Sequence, residues 1–149
     1  MSRVAGFLGA APPRLVLDAG PLIGLCYAPD GYSVSAGAGF RALARAGTRL
    51  VVPLPIVFEV YKWLLHRAGP RVARLSLVRI REAVEIVYPA ADDLDRAVEI
   101  VARMPAWQGS LEDAIVAATA LDLKVPVWTL NYRDMAAFPM LTFWTLGAG

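Results

Sequence analysis

Four carboxylates in this chain stand where acids are seldom placed for solubility alone. Asp18 closes the apolar run Leu15-Val16-Leu17, and Glu59 interrupts an apolar stretch between Ile56-Val57-Phe58 and Val60-Tyr61. Asp113 opens the almost wholly apolar segment Ala114 to Leu121, and Asp134 follows the run that ends at Thr129. Each has an ordinary explanation. Asp18 can cap a helix, Glu59 can pair with an arginine of a neighbouring helix, Ser110-Leu111-Glu112-Asp113 resembles a capping box, and Asn131-Tyr132-Arg133-Asp134 can be a turn and cap. The coincidence of all four is what points to a site. Converging carboxylates repel one another unless cations intervene, so at least one should hold its proton to an unusually high pH. Oxygen donors with no His or Cys among them favour Mg²⁺ or Mn²⁺.

The elements around these residues must bring them together. Leu15 to Leu17 reads as a buried strand that stops at Gly20-Pro21, and Leu22 to Tyr27 as a helix. Phe40 to Ala46 is helical in composition and ends at Gly47, a C-terminal cap. Arg49 to Val52 is a second strand, followed by a helix from Ile56 to His66 with Ile56, Val60, Trp63 and Leu64 on one stripe. Gly69-Pro70 separates it from a helix over Val72 to Ala83. A third strand is expected over Glu85 to Tyr88, and a helix over Asp92 to Met104, whose first turn is acidic as the helix dipole favours. Ser110 opens the helix Leu111 to Leu123, and Val125 to Thr129 and Leu141 to Thr145 complete five strands.

Short apolar strands alternating with helices imply an α/β fold, a central, mostly parallel five-stranded sheet covered on both faces in three layers. Sites in such sheets form beyond the carboxyl ends of the strands. Asp18 and Asp134 lie just past strand ends, and Glu59 and Asp113 near the starts of helices that begin at the same edge.

The 149 residues suit one packed domain, expected over 14–149 behind a flexible N-terminal tail at 1–13. The tail is too short and too rich in Gly and Ala for a secretory signal. Apolar residues make up 57% of the chain and its mean hydropathy is +0.49. A membrane span needs about 20 consecutive apolar residues, and the longest stretches here, Ala19 to Pro29 and Leu50 to Phe58, are short and broken by Gly or Pro. The excess must therefore be buried in an internal sheet or against another chain, so a homodimer or a partner helix is expected. Cys26 is the single cysteine, which excludes an internal disulfide and a Cys-based metal site; a cytoplasmic location fits.

Charge is unevenly spread. Residues 1–84 carry eleven Lys and Arg against four acids, +7, and residues 85–149 carry four against nine, −5. The densest basic run, Arg67, Arg71, Arg74, Arg79 and Arg81, can attract a polyanion or can simply be a solvated helix face. His66, near a helix end, is not expected to be catalytic. Trp63, Trp107, Trp128 and Trp144 lie in apolar patterns that suit core packing better than base stacking.

Four segments together resemble the PIN-domain family. Leu15-Val16-Leu17-Asp18-Ala19-Gly20-Pro21-Leu22-Ile23 is similar to its opening acidic motif, and Phe58-Glu59-Val60 to its helix-borne glutamate. Leu111 to Ala120 is similar to its most recognisable segment, and Trp128-Thr129-Leu130-Asn131-Tyr132-Arg133-Asp134-Met135 to its strand-end motif. The resemblance spans Arg14 to about Thr145. Two positions depart from the pattern: Ala19 stands where threonine or serine is frequent, and Met135 where phenylalanine is.

The resemblance implies a PIN-like fold and a VapC-like toxin: an endoribonuclease that uses Mg²⁺ or Mn²⁺ to hydrolyse phosphodiester bonds of RNA, with an antitoxin protein as partner. It gives Asp18 the central role, makes Asp113 and Asp134 flanking ligands, and leaves Glu59 to complete a metal shell. Thr129 and Asn131 become outer contacts to ligand or RNA. Two alternatives share the fold, a binding module without turnover and an RNA-processing nuclease with no antitoxin. A phosphotransfer receiver domain would need an acceptor aspartate at the end of the third strand, where the chain has Val87-Tyr88-Pro89.

Overall fold

The computed structural model describes residues 7–147. Its centre is the strand Arg14–Leu17 (β2), whose Leu15, Val16 and Leu17 are wholly buried, as a continuous apolar run in a parallel sheet must be. On one side it pairs with Arg49–Pro53 (β3), which pairs in turn with Glu85–Val87 (β4). On the other side it pairs with Val127–Trp128 (β5), which pairs with Phe143–Trp144 (β6). All these pairings are parallel. These are the five expected strands.

The short segment Phe7–Leu8 (β1) adds a sixth, parallel to β6, so the order is β1-β6-β5-β2-β3-β4. It falls in the stretch expected as a loose tail, of which residues 1–6 lie outside the described residues. The end of that stretch is also tied down. Pro12 is buried, and its carbonyl accepts the Thr48 hydroxyl at 2.6 Å.

From β2 onward, helices fill every crossover. Ala19–Cys26 (α1) and Ser33–Ala46 (α2) link β2 to β3; Leu54–Ala68 (α3) and Pro70–Ala83 (α4) link β3 to β4. Asp93–Ala102 (α5) and Leu111–Leu123 (α6) then lead back to β5, and the single turn Tyr132–Met135 (α7) precedes β6. The chain moves outward from β2 to β4 and then returns to the far side of β2. Right-handed crossovers therefore put α1 to α4 on one face and α5 to α7 on the other.

Local chemistry sets the boundaries. Pro55 sits in the first turn of α3, where its missing N–H costs nothing. Gly47 ends α2 at φ 71° and Gly69 parts α3 from α4 at φ 87°, left-handed conformations that suit glycine. Pro126, lacking an N–H, shortens β5 relative to the expected strand, although its carbonyl still accepts the Val16 N–H at 3.0 Å.

Helix α2 begins seven residues earlier than its composition suggests, because Ser33-Val34-Ser35-Ala36-Gly37-Ala38-Gly39 has poor helix propensity and is held by packing instead. Gly39 lies against the Trp128 indole, which also meets Phe40 and Trp144 at ring distances of 4.9 and 5.1 Å. A Cβ on residue 39 would come within 2.5 Å of that buried ring. In an ordinary helix Gly→Ala stabilises by ~1 kcal/mol, whereas forcing a methyl into a packed core costs ~1–3 kcal/mol. Gly39→Ala is therefore expected to lower the denaturant midpoint. A midpoint that rises would mean α2 does not rest on Trp128.

Candidate active site

The order of strands reverses at β2, with β3 on one side and β5 on the other. The crevice beyond their carboxyl ends is thus a topological switch point, where ligands bind in open α/β sheets. Asp18 stands there. Its backbone is extended at φ −85° and ψ 176°, its N–H donates to the Trp128 carbonyl at 3.0 Å, and it is 5% exposed. One carboxylate oxygen accepts the Ala19 N–H at 2.8 Å, so Asp18 does cap α1. The other accepts the Thr129 hydroxyl at 2.7 Å, across the β2–β5 seam. Capping α1 leaves the second oxygen of Asp18 facing the candidate site.

Thr129 and Asn131 carry the link onward. The Thr129 hydroxyl oxygen accepts the Asn131 N–H at 2.9 Å, and the Asn131 amide donates to Asp113 at 3.2 Å. Asp113 is also the third residue of a full capping box: its carboxylate accepts the Ser110 N–H at 3.0 Å, and the Ser110 hydroxyl accepts the Asp113 N–H at 3.1 Å. Gly20 lets the start of α1 lie against Leu130, where a Cβ would be 2.8 Å from that side chain. Three elements thus converge on one chain of hydrogen bonds, Asp18 to Thr129 to Asn131 to Asp113. The hydroxyl beside Asp18 is that of Thr129; Ala19, buried next door, supplies only its N–H.

Glu59 approaches from the second turn of α3. No ion pair among the described residues includes Asp18, Glu59, Asp113 or Asp134, so the expected alternative of a Glu59–arginine pair is not what holds this residue. Although Glu59 is exposed as a whole, desolvation of its carboxyl is the largest cause pushing its pKa up to about 7, followed by the charges of Asp18, Glu112 and Asp113. Burial likewise raises Asp18, against the lowering effect of the Thr129 and Ala19 hydrogen bonds, and the Asp113 charge adds to the rise. The expectation of a raised carboxylate holds, but desolvation outweighs repulsion as its cause.

Glu112 is the neighbour that sequence reasoning passed over. It looked like an ordinary acid in a first turn, favoured there by the dipole. Asp134 lies in α7, half-buried, and shares no hydrogen bond with the other three. Among the described residues, no three His, Cys, Asp or Glu side chains are grouped closely enough to hold one ion. The donor chemistry nevertheless fits a hard divalent cation. Asp18, Glu59 and Asp113 are oxygen donors, Asp113 close enough for its charge to reach Asp18 and Glu59, and among the described residues no Lys or Arg forms an ion pair with them.

An α/β fold with acids at its switch point defines a broad class, and sequence comparison narrows it. The PIN domain family model matches residues 31–138. The chain belongs to that family. The matched span includes Glu59, Asp113, Thr129, Asn131 and Asp134, and begins after Asp18. No curated protein matches the chain in sequence. Among solved structures it is similar to Mycobacterium tuberculosis VapC20, described as a Sarcin-Ricin loop cleaving toxin, with TM-score 0.73 and 21% identity over 83% of this chain and 95% of that one. It is also similar to VapBC2 from Rickettsia felis, bound to a promoter DNA fragment, with TM-score 0.71 and 13% identity over 87% and 96% of the two chains. VapBC-1 from nontypeable Haemophilus influenzae gives TM-score 0.64 and 16% identity over 89% and 97%. At these identities the likeness concerns the fold.

Trp128 and Trp144 are buried in the core, and Trp63 and Trp107 pack half-buried against it, as their apolar settings implied. No helix among the described residues is long and apolar enough to cross a membrane.

Proposed function

We propose that this chain is a divalent-metal-dependent endoribonuclease acting as the toxin of a toxin–antitoxin pair. The observation that carries the reading is the buried Asp18 at the switch point, hydrogen-bonded to Thr129 and flanked by Glu59 and Asp113, none of the three in an ion pair among the described residues. Asp18, Glu59, Asp113 and Asp134 would hold Mg²⁺ or Mn²⁺. When bound, such cations help activate water and stabilise the leaving oxygen in phosphodiester hydrolysis. The chain's own residues prepare the place. Thr129 and the Ala19 N–H fix both oxygens of Asp18, and Asn131 and the Ser110 N–H fix Asp113. Glu59, with its pKa of about 7, is a candidate to take up or release a proton near neutrality.

The toxin reading takes support from structural relatives that are toxins or toxin–antitoxin complexes. An antitoxin or a second copy of the chain would cover exposed apolar side chains such as Leu75 and Val78 of α4, each 54% exposed. Purified protein is expected to cut single-stranded or locally unpaired RNA in Mg²⁺ or Mn²⁺ and to stop in excess chelator. Intact RNA across a mixed pool in both metals would favour the alternative, a PIN fold kept for binding alone.

A further inference from the structure

A groove of ≈ 540 Å³ runs along the exposed side of α3, opening at Glu59, Ser110 and Glu112 and ending at Arg67. Two rows of side chains line it at helical spacing: Phe58, Lys62 and His66 in one, Glu59, Trp63 and Arg67 in the other. From Glu59 to Arg67 the helix rises about 12 Å. Phe58 is 65% exposed, a large aromatic left in solvent beside a core-facing stripe that has no need of it. Trp63 is fixed by an edge contact to Tyr27 with ring centroids 5.2 Å apart, and it carries the Arg67 guanidinium 5.5 Å from its own ring centre. Neither Lys62 nor Arg67 is in an ion pair among the described residues.

We infer that this groove is the binding lane for the stretch of single-stranded RNA next to the cleaved bond: a base stacks on Phe58, and Lys62 and Arg67 meet the following phosphates. The inference rests on the nuclease reading and names where its substrate lies. An exposed ring interleaved with unpaired cations is the pattern that holds single strands without regard to sequence. The lane shares Glu59 with the acidic site, so a strand anchored along α3 delivers its backbone to Glu59. Glu59 and Glu112, where the groove opens, repel either polyanion, so what favours RNA over an acidic peptide is the exposed Phe58 ring, on which a base can stack.

The test measures binding without turnover. A fluorescent, mixed-sequence RNA 12-mer is titrated in Mg²⁺ onto the Asp113→Asn protein, with groove substitutions added to that background. Phe58→Ala is expected to raise Kd roughly 5- to 150-fold, the loss carried by one base–aromatic stack. Lys62→Gln with Arg67→Gln is expected to flatten the slope of log K against log salt by about 1.4, at ~0.7 per lost phosphate contact on a single strand. Arg45→Gln, in the last turn of α2 and so at the opposite edge of the sheet, should change neither. Unchanged RNA affinity and salt slope in the groove variants would overturn the inference and leave the groove to another ligand, such as a protein partner. An equal effect from Arg45→Gln would overturn it too, by showing general charge attraction only. The two readings fail separately: binding that depends on Phe58 in a wild-type protein that cuts no RNA sinks the nuclease alone, and cleavage untouched by the groove variants sinks the lane alone.

Discussion

Asp113→Asn is expected to leave a folded protein whose RNA cleavage is lower by at least about 100-fold. The magnitude follows from position. Loss of an outer partner that merely orients a metal ligand typically costs 10–100-fold, and Asp113 is proposed as a ligand itself, so its loss should exceed that range. The fold should survive because an amide retains an oxygen able to accept the Ser110 N–H and the Asn131 amide, which now meet at one carboxylate oxygen of Asp113. What is lost is the charge at the start of α6, worth ~0.3–1 kcal/mol. At roughly 2–4 °C per kcal/mol for a chain of this size, the melting temperature should fall by no more than about 4 °C. Cleavage at the wild-type rate would remove Asp113 from the site. A collapse of the melting temperature would show instead that its main duty is the capping box.

Much of the candidate site is legible in the sequence because two kinds of signal agree. The run Leu15-Val16-Leu17 is too continuous for a strand with a wet face and must be central, which places Asp18 at the middle of the sheet edge. Helix α6 announces its start, with Ser110 and Asp113 forming the capping box, and its bounds match the sequence reading. Where local propensity and tertiary packing disagree, the reading fails. The first half of α2 is Ser and Gly that form a helix only against Trp128, and β1 is two residues with no pattern to betray a pairing to β6. In the sequence Phe58 is only part of the apolar run before Glu59; it lies off the stripe of Ile56, Val60 and Leu64 that faces the core, and so is left in solvent. The turn-and-cap alternative for Asn131 to Asp134 anticipates the single-turn helix that carries Asp134, although the Asn131 side chain makes no capping bond there.

The pKa of Glu59 links the site to stability in a way that can be measured. Its folded value is about 7 against an ordinary 4.5. Below about pH 4.5 the carboxyl is protonated in both folded and unfolded chains, and the folded state bears no penalty. As pH rises from there to about 7, the unfolded chain gives up its proton while the folded chain keeps it, so metal-free stability is lost across that window and stays lost above it. Asp18, also raised, acts with the same sign. Glu59→Gln removes the titration, and Gln matches Glu closely in helix propensity. In chelator at pH 8 the variant should therefore melt above wild type, and by pH 4 the difference should vanish. Cations should do for wild type what the substitution does for the variant. Native-state binding at one hundred times Kd stabilises by ~2.7 kcal/mol, a rise of roughly 5–10 °C for a chain this size, and Glu59→Gln should shrink that rise because one ligand charge is gone. If the variant in chelator melts below wild type at pH 8, or if both proteins respond equally to Mn²⁺, then Glu59 is not crowded by the other acids and belongs outside the metal site.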